Sequence, residues 1–221
     1  MASLLGIRRG VTAVIGGGGK TTLLRTLGEE LAQEGRVLLC TTTKMLPYPD
    51  LPFACDRQEL ERLRQKHPLL CAGTVLPESR KITAPDVSMN ELAEWFDYVL
   101  VEADGSAQRP LKAHAAHEPV IPPEANRTVC VVGASGFGVP VAEAAHRPEL
   151  YAGLAGVSAE TPVTAEIAAA VLKRENLHDI IYVNQIDLLP NLKEIRRFAE
   201  PAECPVVAGS LRKGEYHPCW L

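Results

Sequence analysis

The run Val14-Ile15-Gly16-Gly17-Gly18-Gly19-Lys20-Thr21-Thr22 sets four glycines directly before a lysine and two hydroxyl side chains. Glycines let a backbone close tightly on phosphate oxygens and turn several N–H groups inward. A helix starting at the end of such a loop adds partial positive charge. Lys20 would then reach the β- and γ-phosphates of a nucleotide. The Thr21 hydroxyl would bind Mg²⁺, and Thr22 continues the cradle. A glycine run can also be a plain linker. Its context argues otherwise, because it follows the apolar run Val11–Ile15 and precedes helically spaced leucines.

The spacing is not the usual G-x-x-x-x-G-K-T, since Val14 stands at the first glycine position. It is closer to the deviant loop G-G-x-G-K-T-T of the MinD and signal-recognition class. Many of those proteins carry a lysine before the first glycine. Ile15 stands there in this chain, so neither a trans-acting lysine nor their dimer is implied.

Two further clusters fit a nucleotide. Tyr98-Val-Leu-Val-Glu102-Ala-Asp104-Gly105 is an apolar strand ending in carboxylates, as in a Walker B element. Ligands of parallel sheets sit at such strand ends. Either Glu102 or Asp104 could hold Mg²⁺ while the other orients the attacking water. Magnesium takes few protein carboxylates, so one acid suffices. Asn184-Gln185-Ile186-Asp187 resembles the Asn-Lys-x-Asp element of GTPases. An aspartate can accept two N–H bonds from the guanine edge, a pair that adenine does not present. Asn184 would tie this loop to the phosphate loop, and Gln185 would cover the base without the usual cation. Ser210, after the last strand, resembles the short element closing over the base. Together these favour GTP over ATP, although Asn184 and Asp187 also suit an ordinary turn.

Weaker candidates lie nearby. Thr43 could coordinate Mg²⁺ and Lys44 could offset phosphate charge, or both could be a strand end and a solvated lysine. Arg109 and Lys112 could clamp a γ-phosphate or an anionic substrate, or belong to a solvated loop. His114 and His117 have metal-like spacing, but no partner completes a set. The six cysteines are scattered and form no Cys-x-x-Cys, which reads as reduced thiols.

These residues need a scaffold of alternating strands and helices. Strands are expected at Val11–Ile15, Arg36–Cys40, Tyr98–Val101, Thr128–Val132, Ile180–Val183 and Val206–Ala208. Helices are expected at Thr21–Glu34, Arg57–Lys66, Asn90–Trp95, Ala165–Arg174 and Leu192–Phe198. Leu69–Thr74 and Ser79–Thr83 read as a small strand pair. The pattern predicts an α/β fold, a P-loop NTPase-like three-layer sandwich with a mostly parallel central sheet. A single domain is expected over residues 1–221. Residues 104–127, rich in proline, read as an irregular insert or lid.

Composition excludes other classes. The chain has 221 residues, 46% hydrophobic and 23% charged, with net charge −4. That is ordinary globular composition, with no whole-protein basic field for nucleic acid or an anionic membrane. No apolar run is long enough for a membrane span, and the first residues do not read as a signal peptide.

The blocks Gly16–Thr22, Thr41-Thr-Thr-Lys44, Glu102-Ala-Asp-Gly-Ser106, Pro110-Leu-Lys112-Ala, His117-Glu-Pro-Val-Ile-Pro122, His146-Arg-Pro-Glu149 and Asn184-Gln-x-Asp187 together carry a resemblance. The chain resembles the YqeC-like family of selenium-dependent hydroxylase accessory proteins over nearly its whole length. His114 departs from it, standing where a proline is expected. The resemblance implies a cytoplasmic bacterial P-loop protein that assists maturation of molybdenum hydroxylases needing labile selenium. A molybdenum hydroxylase or its maturation proteins would then be partners. The expected activity is Mg²⁺-dependent GTP or ATP hydrolysis. A small-molecule kinase and a non-hydrolysing, nucleotide-dependent chaperone are the alternatives.

Overall fold

The computed structural model describes residues 1–219. In chain order its elements are β1 (Gly10–Gly16), α1 (Lys20–Leu31), β2 (Val37–Thr41), β3 (Phe53–Ala54), α2 (Arg57–Leu63), β4 (Leu69–Ala72), β5 (Thr74–Leu76), β6 (Lys81–Thr83), α3 (Met89–Trp95) and β7 (Tyr98–Glu102). There follow β8 (Leu111–Lys112), β9 (Ala125–Gly133), α4 (Val141–Ala144), β10 (Ala145–His146), α5 (Pro148–Ala155), α6 (Ala165–Glu175), β11 (Ile180–Asn184), α7 (Lys193–Ala199), β12 (Val206–Ser210) and β13 (Glu215–Cys219). The expected α/β class with a mostly parallel sheet is present.

The chain divides into two compact units. The first comprises Met1–Val14, Thr21–Gly105 and Val120–Thr128. Its strands run in the order β1, β7, β2, β4, β3, all parallel. Every residue of β2 and β7 is buried, which explains their unbroken apolar sequences. Val11, Leu38, Leu60, Leu70, Leu92 and Val99 share one core. The helices that feed it are capped from the sequence. Asp56 accepts the Glu59 N–H at 2.9 Å, and Ser88 accepts the Glu91 N–H at 3.3 Å.

The second unit comprises Ile15–Lys20, Ser106–Pro119 and the described residues from Val129 onward. Within it β9, β11 and β12 are parallel, and β13 runs antiparallel to β12. Helix α6 starts at Thr164, whose hydroxyl accepts the Ile167 N–H at 3.2 Å. It ends at Asn176 in the left-handed region. Strands β8 and β10 form a small parallel pair.

One local expectation is corrected. Leu69–Thr74 does not pair as a whole with Ser79–Thr83. Leu69–Ala72 runs parallel to β2, and only Thr74–Leu76 pairs with Lys81–Thr83. Burial decides this, because Leu70, Cys71 and Ala72 are core residues while Thr74 and Val75 are exposed. Helix α5 and strand β13 have no counterpart in the sequence reading. No described helix is long and apolar enough to cross a membrane.

Candidate functional site

The glycine loop leads from β1 into α1. Gly16, Gly18 and Gly19 have φ of 93°, 78° and 126°, in the region L side chains rarely adopt. There is also no room for side chains. A Cβ on Gly17 would lie 2.6 Å from the Arg109 carbonyl oxygen, and one on Gly18 would run into the Gly133 backbone. The Gly17 N–H donates to the Val131 carbonyl at 2.9 Å, and the Gly18 N–H to the Arg109 carbonyl at 3.2 Å. Lys20 opens a helix of 12 residues and is only 3% exposed. Its ammonium donates to the Gly16 carbonyl at 2.7 Å, so the cation lies against the loop.

Asn184 ends β11 and is buried. Its Nδ2 donates to the Gly18 carbonyl at 2.8 Å. Its Oδ1 accepts from the Leu211 N–H at 3.1 Å and from the Tyr182 hydroxyl at 3.3 Å. One side chain thus holds the glycine loop and the turn after β12. Asp187, three residues on, accepts a hydrogen bond from Ser210. That bond holds its carboxyl below the ordinary value, and Lys213 and Arg212 add to the effect. Ser210 is 1% exposed.

Gln185 behaves differently from the lysine whose place it takes. It has a left-handed φ of 67°, and its Oε1 accepts from the Ser135 hydroxyl at 2.7 Å. Ser135 belongs to the glycine-containing run Gly133–Gly138 at the end of β9. The serine between its glycines was the available signal.

In the first unit, Glu102 ends β7 opposite Val14 of β1 and Thr41 of β2. It therefore sits at the carboxyl ends of three parallel strands. Its Oε2 accepts from the Thr21 hydroxyl at 2.8 Å. Its carbonyl accepts from the Thr41 hydroxyl at 2.7 Å and the Thr42 N–H at 3.2 Å. Thr43 donates its N–H to the Thr41 hydroxyl at 3.0 Å, and its own hydroxyl lies 3.4 Å from that oxygen. Asp104 is fully buried. The two acids are equivalent in sequence, but the Thr21 hydroxyl bond singles out Glu102. Tyr48, unmarked in the sequence, donates its hydroxyl to the Thr21 carbonyl at 2.9 Å, and burial pushes its phenol up. Thr22 and Lys44 are exposed. The Thr22 carbonyl accepts the Thr26 hydroxyl at 3.0 Å.

Arg109 and Lys112, the two candidate cations beyond Glu102 and Asp104, each have a protein partner. The exposed Arg109 guanidinium donates to the Glu143 carbonyl. Lys112 is buried in β8 and pairs with Glu118 at 3.0 Å. Pairing of β8 with β10 is what turns it inward. His114 faces Glu175 at 2.9 Å, and His117 lies 3.3 Å from Arg147. Among the described residues, no group of three His, Cys, Asp or Glu side chains could hold a metal. All six cysteines are free thiols, and burial pushes Cys71 up to about 11.

Among solved structures, the signal recognition particle 54 kDa protein from Aeropyrum pernix K1, in complex with GDP, superposes with a TM-score of 0.44 at 14% identity. The match covers 96% of this chain and 44% of that one, so this chain spans less than half of it. The uncharacterized protein YqeC of Escherichia coli (strain K12) is 32% identical over 172 residues, covering 74% of this chain and 67% of its own length. The YqeC protein family matches residues 12–149, from β1 into α5. The chain belongs to the YqeC protein family.

Proposed function

We propose that this chain binds a Mg²⁺–nucleoside triphosphate, with GTP preferred over ATP, and hydrolyses it. The observation that carries the preference is the Asn184–Asp187 corner. Asp187 is an ionised acceptor steadied by Ser210, and Asn184 couples the same turn to Gly18. Guanine offers two adjacent donors to such a carboxylate, and adenine does not.

Lys20 holds the β- and γ-phosphates and Thr21, the next residue, holds Mg²⁺. Hydroxyl and carboxylate oxygens are the hard ligands magnesium takes, and the Thr21–Glu102 pair supplies both. Bound there, Mg²⁺ would neutralise phosphate charge. Glu102 steadies the metal ligand; Asp104, two residues on, and Thr43, bonded to the Thr41 hydroxyl that donates to the Glu102 carbonyl, are further oxygen donors. Phosphoryl transfer to water asks mainly for positioning and charge, which these residues provide. The kinase alternative draws no support from Arg109 and Lys112, whose cations are engaged by Glu143 and Glu118. The setting we propose is the maturation of selenium-dependent molybdenum hydroxylases, on the family resemblance alone.

The test is calorimetric titration with non-hydrolysable GTP and ATP analogues plus Mg²⁺, on the wild type and Lys20→Ala. GTP binding that is lost in the variant supports the reading. Preference for ATP overturns the guanine assignment, and absence of binding overturns the cradle. Nucleotide-dependent co-purification with a hydroxylase subunit tests the setting.

A further inference from the structure

Residues 109–112 form a strap against the glycine loop. The Arg109 carbonyl accepts the Gly18 N–H, and the Pro110 carbonyl accepts the Gly133 N–H at 2.9 Å. Glycines surround the strap because nothing larger fits. A Cβ on Gly17 would lie 2.9 Å from Pro110 backbone atoms, one on Gly133 2.8 Å from the Pro110 ring, and one on Gly136 2.8 Å from Leu111. Approaches this close, to the backbone at Gly17 and to side chains at Gly133 and Gly136, leave little slack to absorb a shift.

The far end of the strap is tied by charge. Glu118 Oε2 accepts from Lys112 at 3.0 Å, from Arg147 Nη2 at 3.1 Å and from Arg147 Nε at 3.2 Å. Lys112 and Arg147 come from the neighbouring strands β8 and β10, or the residue just after. The side chains are 0%, 14% and 33% exposed for Lys112, Glu118 and Arg147. Glu118 bridges the buried Lys112 ammonium to Arg147, so its loss breaks the link between β8 and the end of β10 and loosens the strap.

We propose that Glu118 is a positioning residue for the phosphate loop. It acts through Lys112 and Arg147 to fix the strap on which Gly17 and Gly18 rest. The Lys112–Glu118–Arg147 group thereby sets how well the loop is shaped for phosphate. The nucleotide part of this inference rests on the function proposed above, and the mechanical part does not.

The experiment compares wild type with Glu118→Gln, Arg147→Gln and a control, Ile195→Val, buried in α7. Backbone hydrogen exchange is read by mass spectrometry over residues 14–20 and 106–113. Affinity for a GTP analogue is read by calorimetry. Glu118→Gln should speed exchange in both segments and weaken the analogue about tenfold. Arg147→Gln should do the same to a smaller degree, and Ile195→Val should do neither. Loop exchange within twofold of wild type in both charge variants overturns the proposal. So does equal acceleration in Ile195→Val, which would mean general loosening. If Glu118→Gln fails to fold, Arg147→Gln, at a side chain one third exposed, decides alone. If wild type binds no analogue, the nucleotide reading fails while exchange still decides the coupling.

Discussion

Asn184→Ala gives the sharpest test of the base corner. Asn184 is 5% exposed and makes the bonds to Gly18, Leu211 and Tyr182 described above. Each such bond contributes about 1 kcal/mol net, and buried groups left without partners add to the loss. The alanine variant should therefore lose about 3 kcal/mol. Asn184→Asp separates the donor from the acceptor. It keeps an oxygen for Leu211 and Tyr182 but sets a second oxygen opposite the Gly18 carbonyl, where the donor stood at 2.8 Å. Repulsion there should make aspartate no better than alanine, despite retaining two bonds. Urea denaturation followed by circular dichroism measures both, and the GTP analogue should bind each variant at least about tenfold more weakly. A loss below about 0.5 kcal/mol for alanine would refute the reasoning. An aspartate variant close to wild type would do the same.

Asp187→Asn exchanges one acceptor for a donor, so GTP should weaken on the order of a hundredfold. Xanthosine triphosphate, with a carbonyl in place of the exocyclic amine, should gain, and competition binding reads both. The Asp187 carboxyl titrates below its ordinary value because Ser210 bonds to it. Guanine binding through the ionised form should therefore persist as pH falls, until that lowered value is crossed. Ser210→Ala should move this loss upward toward the unperturbed value of 3.8, as read from affinity against pH with Asp187→Asn as baseline. Thr21→Ala should leave binding in Mg²⁺ no stronger than wild type in EDTA. A variant that still responds to Mg²⁺ would place the metal elsewhere.

What the sequence made legible follows from burial and distance. Strands such as β2 and β7 are buried on both faces, so they stand out as unbroken apolar runs. β13 reads Glu-Tyr-His-Pro-Cys, with no alternation and a proline. An edge strand tolerates both, but neither announces a strand. α5 spans eight residues between a Pro start and Gly156, too short for a periodic signal. The glycine loop was legible because its chemistry is contiguous in the chain. The burial of Lys112 was not legible because its direction depends on β8 pairing with β10, over thirty residues away. Glu102 and Asp104 share a strand end, and only the position of the Thr21 hydroxyl distinguishes them. The Gln185–Ser135 bond joins residues 50 apart, beyond any local pattern.

Gln185 has a consequence for kinetics. A non-glycine residue held at a φ of 67° is conformationally costly, and its Ser135 bond helps keep it there. The corner between Asn184 and Asp187 is thus bent before any ligand arrives. A base entering a preshaped turn orders little chain on arrival. Association should then be fast and nearly insensitive to substitutions around the corner. Differences in affinity among such variants should appear as residence time.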